Sequence, residues 1–203
     1  MVPVASVVDV QQAIAERGPR GVLARGLGRS YGDAAQSGGA TILDLSPMSS
    51  LRLDPQAATV TAGGGASLDE LLRILVPSGF FVPVTPGTRM VSVGGAIAAD
   101  VHGKNHHVDG TFGSHVSSLG IVDGRGDEVV LTPDGDPERF WATVGGMGLT
   151  GVITEATFDL ISISSSRIAL AASSHSRSLQ RIEAEPNWVP RRQTAWASSP
   201  KRR

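Results

Sequence analysis

Residues 100–107 read DVHGKNHH and gather three imidazoles, an ammonium group, an amide and a carboxylate around one glycine. Such a set can move protons, polarise an oxygen or bind a metal. His102 and His106 stand four apart, but HGKNH lacks the Glu that follows the first His in the metalloprotease helix pattern, and Gly103 disfavours a regular helix there. The 203 residues contain no Cys, which excludes thiolate ligation and disulfides. No metal is therefore expected. His and Lys suit hydrogen-bond donation to a substrate oxygen or an electron-rich ring. The bland alternative is a polar loop whose imidazoles satisfy backbone carbonyls.

Three glycine clusters decide between those alternatives: RGLGRSYG at 25–32, PGTRMVSVGG at 86–95 and GGMGLTG at 145–151. Glycine lets successive main-chain N–H groups turn toward an anion at close range. A short small-residue helix near Gly94 to Ala99 would aim its first N–H groups at a phosphate. The first two clusters are thus expected to clamp a diphosphate from two sides. In the third, Gly146-Met147-Gly148-Leu149-Thr150-Gly151 fits G-x-G-x-x-G, but the dinucleotide motif needs a strand before it and a helix after it. The order expected here is the reverse, a helix and then a strand, which excludes a nicotinamide-binding fold of that kind.

The elements that must position these loops follow from periodicity. SVVDVQQAIAER has helical spacing and stops at Gly18-Pro19, whereas GVLAR and ATILDL are strand candidates. LRLDPQAATVTAGGG predicts two strands around Asp54-Pro55. SLDELLRILVPSG predicts a helix with Ser67 as N-cap, Glu70 completing a capping box and Gly79 at its end. LGIVDGRGDEVVLT predicts a hairpin, DPERFWATVGG a helix and GVITEATFDL a strand. Strands and helices interleave in a mixed α and β class, with no internal repeat.

No run of about 18 apolar residues and no basic-then-apolar leader occurs, so a cytoplasmic protein is the default expectation. The net charge of −1 hides a split. Residues 161–203 hold eight of the 18 Lys and Arg but two of the 19 Asp and Glu, making that segment +6 and the first 160 residues −7. All 25 glycines precede residue 160, and the tail carries ten serines and seven arginines. Its composition favours disorder. The +6 tail raises nucleic-acid binding as a competing function, but only Trp188 and Trp196 supply aromatic rings and no nucleic-acid motif is present.

Read together and in order, RGLGRSYGD, PGTRMVSVGGAIAADVHGKNHH, GTFGSHV and FWATVGGMGLTGVI resemble the flavin domain of the decaprenylphosphoryl-β-D-ribose oxidase family, within the vanillyl-alcohol-oxidase (PCMH-type) group of FAD proteins. The resemblance covers about residues 20–160. It implies an α+β, two-subdomain FAD-binding fold with mixed sheets and flanking helices over residues 1–160, followed by a Ser/Arg-rich tail over 161–203. By match of motif, Ala24, Arg25, Gly26, Leu27, Gly28, Arg29, Ser30, Tyr31, Gly32, Asp33 and Ala34 form the first FAD loop. Gly87 with Ser92, Val93, Gly94 and Gly95 form the second. Ala99, Asp100, Val101 and His102 lie along the flavin, and Ile153 touches the adenine-side half. Tyr31, His102, Gly103 and Lys104 face the substrate, with Tyr31, His102 and Lys104 as the catalytic candidates. Some relatives attach flavin to a His at the position of Arg29; arginine cannot form that bond, so FAD is expected to be non-covalent.

The implied reaction is oxidation of the ribose C2 hydroxyl of a polyprenyl-phosphoryl ribose to the 2-keto sugar, the first half of epimerisation to an arabinose donor for cell-wall arabinan. It implies a lipid-linked pentose as substrate, a partner reductase or epimerase, no nucleic acid, and a place in the cytoplasm or peripheral to the inner membrane or its periplasmic face. An alditol or sugar-lactone oxidase, or a non-catalytic remnant, is the alternative. Family members continue into a substrate-binding domain and then return with more flavin contacts and a catalytic Lys. Nothing of that kind is recognisable after GVITEATFDL, so a frameshifted or misannotated gene end near Ser162 is expected, with weak FAD binding and poor turnover.

Overall fold

Ser6 and Asp9 cap each other's main chain at the start of α1 (Val7–Ala15), which buries Val10 and Ile14. The computed structural model describes residues 1–166. In it α1 lies between β1 (Val2–Pro3) and β2 (Val22–Arg25), and β3 (Thr41–Asp44) separates those two strands in a parallel sheet of order β1-β3-β2. Val4, Val10, Ile14, Leu43 and Leu45 form the small core of this N-terminal layer, joined by Val122 and Val152 from the second sheet.

That second sheet is antiparallel, of order β4-β5-β9-β7-β8, from β4 (Leu51–Asp54), β5 (Thr59–Gly63), β7 (Val116–Val122), β8 (Glu128–Leu131) and β9 (Val152–Asp159). Central β9 pairs with both β5 and β7 and alternates buried and half-buried residues, as a strand covered on one face should. Three helices cover the sheet: α2 (Leu68–Leu75), α3 (Val93–Ala98) and α5 (Pro137–Thr143); the single turn α4 (His106–Asp109) stands apart from the core. Leu68, Leu71, Leu75, Val93, Ala96, Ile97, Phe112, Phe140 and Phe158 fill the larger core.

The predicted Ser67–Glu70 capping box is present on α2. The helix closes at Leu75, ahead of Pro77, and a turn rather than helix leads to Gly79. One short pairing near the chain's last described residues escaped the periodicity. β6 (Phe80–Phe81) pairs with β10 (Ile161–Ser162), and the first unit of the chain runs Met1–Ile163, past the expected boundary at Leu160. The expectation of a disordered Ser/Arg tail falls largely on residues 167–203, outside the described residues.

The β7–β8 hairpin turns on Asp123, whose carboxylate accepts the N–H groups of Arg125 (2.9 Å) and Asp127 (3.2 Å) and meets Arg125 and Arg139 as ion pairs. Arg139 sits in α5, and Gln11 of α1 donates to the Gly126 carbonyl, so one turn ties three elements together. The Arg125 N–H leads in holding the Asp123 carboxyl below the ordinary carboxylate range; burial opposes it, and the Asp127 N–H and the Arg125 charge add to it. A depressed folded-state pKa contributes stability above about pH 4, where the unfolded carboxyl ionises, and that stability is lost as pH falls through the lower folded value. Asp123→Asn should therefore lower the urea midpoint at neutral pH and flatten its decline between about pH 4 and 2, measured against the unaltered chain.

Candidate active site

The first loop leaves the sheet after Arg25 and runs straight onto the start of α3. A methyl group on Gly26 would overlap the Ser92 hydroxyl, and its Cβ would come within 2.8 Å of the Ser92 Cβ. The two glycine clusters thus meet, Gly26 against Ser92. Beyond that contact Gly28 takes a positive φ of 62°, and the Arg25 guanidinium folds back beneath it. Arg25 also lies in register with Asp44, whose carboxyl the Ser46 hydroxyl and then the Ser46 N–H hold below its ordinary range, against burial and with help from Arg25. Among the described residues, no main-chain N–H from Gly26 to Ala35 reaches an acceptor. The segment is half-exposed or exposed throughout, and Arg29, Ser30, Tyr31, Gly32, Asp33 and Ala34 are exposed. It offers a run of free donors to whatever docks against it.

α3 does the opposite. Val93 N–H donates to Ala66 O (2.8 Å), Gly94 N–H to Gly64 O (2.9 Å) and Gly95 N–H to the capping hydroxyl of Ser92 (3.2 Å). The expectation that this helix turns free N–H groups on a phosphate is corrected. The reason is the triplet Gly63-Gly64-Gly65, whose local pattern is only that of a strand end. Methyl groups there would overlap the carbonyls of Met48, Ile153 and Leu45 respectively, so the missing side chains let β5 press against three neighbouring segments and carry its carbonyls to α3. What α3 offers a ligand is a bare surface: Gly95 and Ala99, one turn apart, are exposed, while Val93, Gly94, Ala96 and Ile97 are buried.

At its other end, α3 is closed by the third glycine cluster. Gly145 N–H donates to Ile97 O (3.0 Å) and Met147 N–H to Ala98 O (2.8 Å). A helix, α5, precedes this cluster and a strand, β9, follows it, the order expected. Asp100, at φ 41°, turns the chain out of α3 and accepts the Gly113 N–H (3.0 Å). Val101 is half-buried, and His102 pairs with Thr111 in a lone bridge.

Buried Gly103 then fixes the polar loop. A Cβ there would lie 2.8 Å from Thr85 O, and Asn105 donates to Pro83 O (2.9 Å) and to Asp109 (2.7 Å). His106 Nδ1 lies 3.0 Å from the Gly103 carbonyl, within reach to donate an N–H to it. His102 Nδ1 is 3.5 Å from the same oxygen, at the edge of bonding range. The two rings meet edge-on at 5.2 Å and His106 tilts over His107 at 3.9 Å. His102 and Lys104 are exposed, which leaves both free to meet a ligand. Tyr31 is 99% exposed, so no wall of the described residues encloses its ring. Gly87 is exposed, whereas Ile153 is buried, its carbonyl against Gly64. Among the described residues no three His, Asp or Glu side chains are placed to hold a metal.

Residues 2–132, which take in the first sheet, four of the five strands of the second, the first loop, α3 and the polar loop, match the FAD binding domain family. The chain belongs to that family. Over 156 residues it is 51% identical to decaprenylphosphoryl-beta-D-ribose oxidase of Mycolicibacterium smegmatis, covering 76% of this chain and 34% of that protein. It is 31% identical to D-arabinono-1,4-lactone oxidase of Eremothecium gossypii, over 76% of this chain and 30% of that one. The chain therefore spans about a third of the length of these curated relatives. The structure of 6-hydroxy-D-nicotine oxidase from Arthrobacter nicotinovorans superposes with a TM-score of 0.72 at 23% identity, over 80% of this chain and 37% of that chain, which establishes a shared fold.

The cofactor of this family is FAD, and the residues present fit it. The Gly26–Ala35 amides are free for an anion, the Gly95–Ala99 face accepts a closely laid ligand, and Thr150 Oγ1 is buried without a hydrogen-bond partner among the described residues. Gly26→Ala should lose about 1–3 kcal/mol of stability through overpacking against Ser92 and weaken FAD uptake. Adding Ser92→Ala removes the overlapped oxygen and should recover part of the loss in urea unfolding; an undiminished Gly26→Ala chain would show that the loop and α3 are not in contact.

Proposed function

We propose that this chain is the cofactor-holding part of an FAD-dependent oxidase that converts the C2 hydroxyl of decaprenylphosphoryl-β-D-ribose to a ketone. The observation that carries this reading is the 51% identity to the mycobacterial enzyme of that name over 156 residues, 76% of this chain. In this reading the Ala24–Ala34 segment holds the diphosphate through the free amides that begin at Gly26. Ser92 to Gly95 and Ala99 to Val101 back the extended cofactor, and His102, Lys104 and Tyr31 border the sugar. When bound, FAD supplies the two-electron acceptor for the C2 hydride.

The chain's own part is positional and protonic. Lys104 donates a hydrogen bond to a sugar oxygen. His102 takes up the proton released when the C2 hydroxyl becomes a ketone. Arg29 offers no nucleophile to the isoalloxazine and the chain has no Cys, so FAD is held without a covalent bond. The lipid tail of the substrate keeps the working protein at a membrane face, and the keto sugar passes to a partner reductase.

The 203-residue chain should bind FAD weakly and turn over poorly, so flavin is kept present in the assay and its bound yellow band is followed. Under anaerobic conditions, a polyprenyl-phosphoryl ribose should bleach that band, and deuterium at C2 should slow the bleaching. His102→Gln and Lys104→Met should slow it about 100-fold while leaving the absorbance in place. Bleaching by a sugar lactone but not by the lipid-linked ribose would transfer the activity to the lactone-oxidase class, to which the 31% identical relative belongs by name.

A further inference from the structure

We infer that the adjacent imidazoles of His106 and His107 form the subsite for the substrate's phosphoryl group, the phosphodiester anion that joins pentose to lipid; this rests on the lipid-linked ribose reading above. In that reading His102 and Lys104 have tasks at the sugar, whereas the second half of the HGKNHH stretch has none. The four side chains are exposed. Between centroids, the His106 ring lies 5.2 Å from that of His102 and 3.9 Å from that of His107. The sugar asks for the same adjacency. Its oxidised hydroxyl is on C2 and its phosphoryl group on C1, so the group that takes the proton and the group that meets the phosphate must be neighbours. With His102 at the C2 oxygen, the next rings in the row are those beside the phosphate.

No carboxylate neutralises this loop. Among the described residues, Lys104, His102, His106 and His107 form no ion pair. The nearby carboxylates are taken by neutral donors, Asp109 by the Asn105 amide (2.7 Å) and Asp100 by the Gly113 N–H (3.0 Å). His115, from the turn that follows, is held through Nε2 at the Asp109 carbonyl (2.8 Å). Pro83, Val84 and Thr85, to which the loop is fastened, bring no titratable side chain. The His107 ring has no hydrogen-bond partner among the described residues. An imidazolium has two N–H donors, so protonated His106 can keep Nδ1 on the Gly103 carbonyl and still have one to give. Two neighbouring imidazoles resist double protonation in water, and an anion across both removes that resistance and draws a proton onto the pair. A phosphodiester keeps its single charge near neutral pH, so the pH sensitivity of its binding belongs to the rings.

Three probes test the subsite: farnesylphosphoryl-β-D-ribose, the uncharged farnesyl β-D-riboside, and a farnesyl methyl phosphodiester without sugar. Each is titrated into the full chain with FAD present and followed by calorimetry and by NMR of the histidine rings. The phosphoryl ribose should bind about tenfold more tightly at about pH 5.5 than at about pH 8. With it bound, the His106 and His107 rings should titrate at higher pH than without it, because a nearby anion favours the imidazolium. The uncharged riboside should show neither effect. His107→Gln removes the charge from a ring that fastens nothing, so it should abolish most of the low-pH gain while leaving the melting temperature unchanged. Equal binding of the two ribosides, or a His107 resonance that ignores the phosphoryl ribose, would overturn the subsite. Phosphoryl-ribose binding that is indifferent to His107→Gln would sink the subsite and leave the ribose reading standing. A sugar-free diester that binds as tightly as the phosphoryl ribose, with the same dependence on His107, would uphold the subsite and remove the ribose reading.

Discussion

The site depends on how closely α3 approaches the antiparallel sheet. Gly94 N–H reaches Gly64 O at 2.9 Å, and a Cβ on Gly94 would stand 3.0 Å from the same oxygen. Gly64 is in turn backed by the Ile153 carbonyl of β9, so helix and two strands meet at two residues without side chains. Replacing either would push α3 outward. Because Ser92 caps α3 and touches Gly26, the first loop would move with it, and because Asp100 and Met147 are tied to the far end of the helix, so would the His102–Lys104 loop. One six-residue helix thereby sets the spacing between the first loop and the His102–Lys104 loop.

The division of hydrogen bonds follows from that packing. A helix pressed into a sheet cannot leave its first N–H groups unpaired in the interior, since buried donors without partners are destabilising. Those of α3 go to Ala66, Gly64 and Ser92. The loop from Gly26 to Ala35 lies at the surface, where water solvates its donors until an anion displaces the water. The free donors therefore belong to the irregular loop, and the helix contributes position and a smooth wall. Two glycine-rich segments that look alike in sequence do different work because one is buried and the other is not.

Much of this is legible in the amino-acid pattern alone. The capping box at Ser67–Glu70 and the Asp136-Pro137 start of α5 are local signals that tertiary structure has no reason to override. The alternation in β9 and the Asp123 turn between β7 and β8 are legible for the same reason. The site is legible as a set of residues, but the mutual placement of its parts is less so. Gly63-Gly64-Gly65 looks like a strand end because close approach to Leu45, Met48 and Ile153 is a long-range property that no local pattern carries. The third glycine cluster closes α3 through main-chain bonds, which leave no mark on side-chain type. A two-residue strand such as Phe80–Phe81 is too short to show a period.

Among the described residues, three other than glycine sit at positive φ, and two of them, Asp100 (41°) and Met147 (55°), flank the C-terminal end of α3. Each such residue carries strain that surrounding contacts must hold in place. For Asp100 the contact is the Gly113 N–H on its carboxylate; for Met147 it is the bond from its own N–H to Ala98 O. Ordinary helix ends release this strain by placing glycine after the cap. Here the chain keeps a carboxylate where glycine would be easier, and that carboxylate fastens the turn from which His102 projects. The strain is the cost of a second anchor, and the anchor lies two residues before the first imidazole of the polar loop, where freedom in the turn would pass directly into the position of a catalytic candidate.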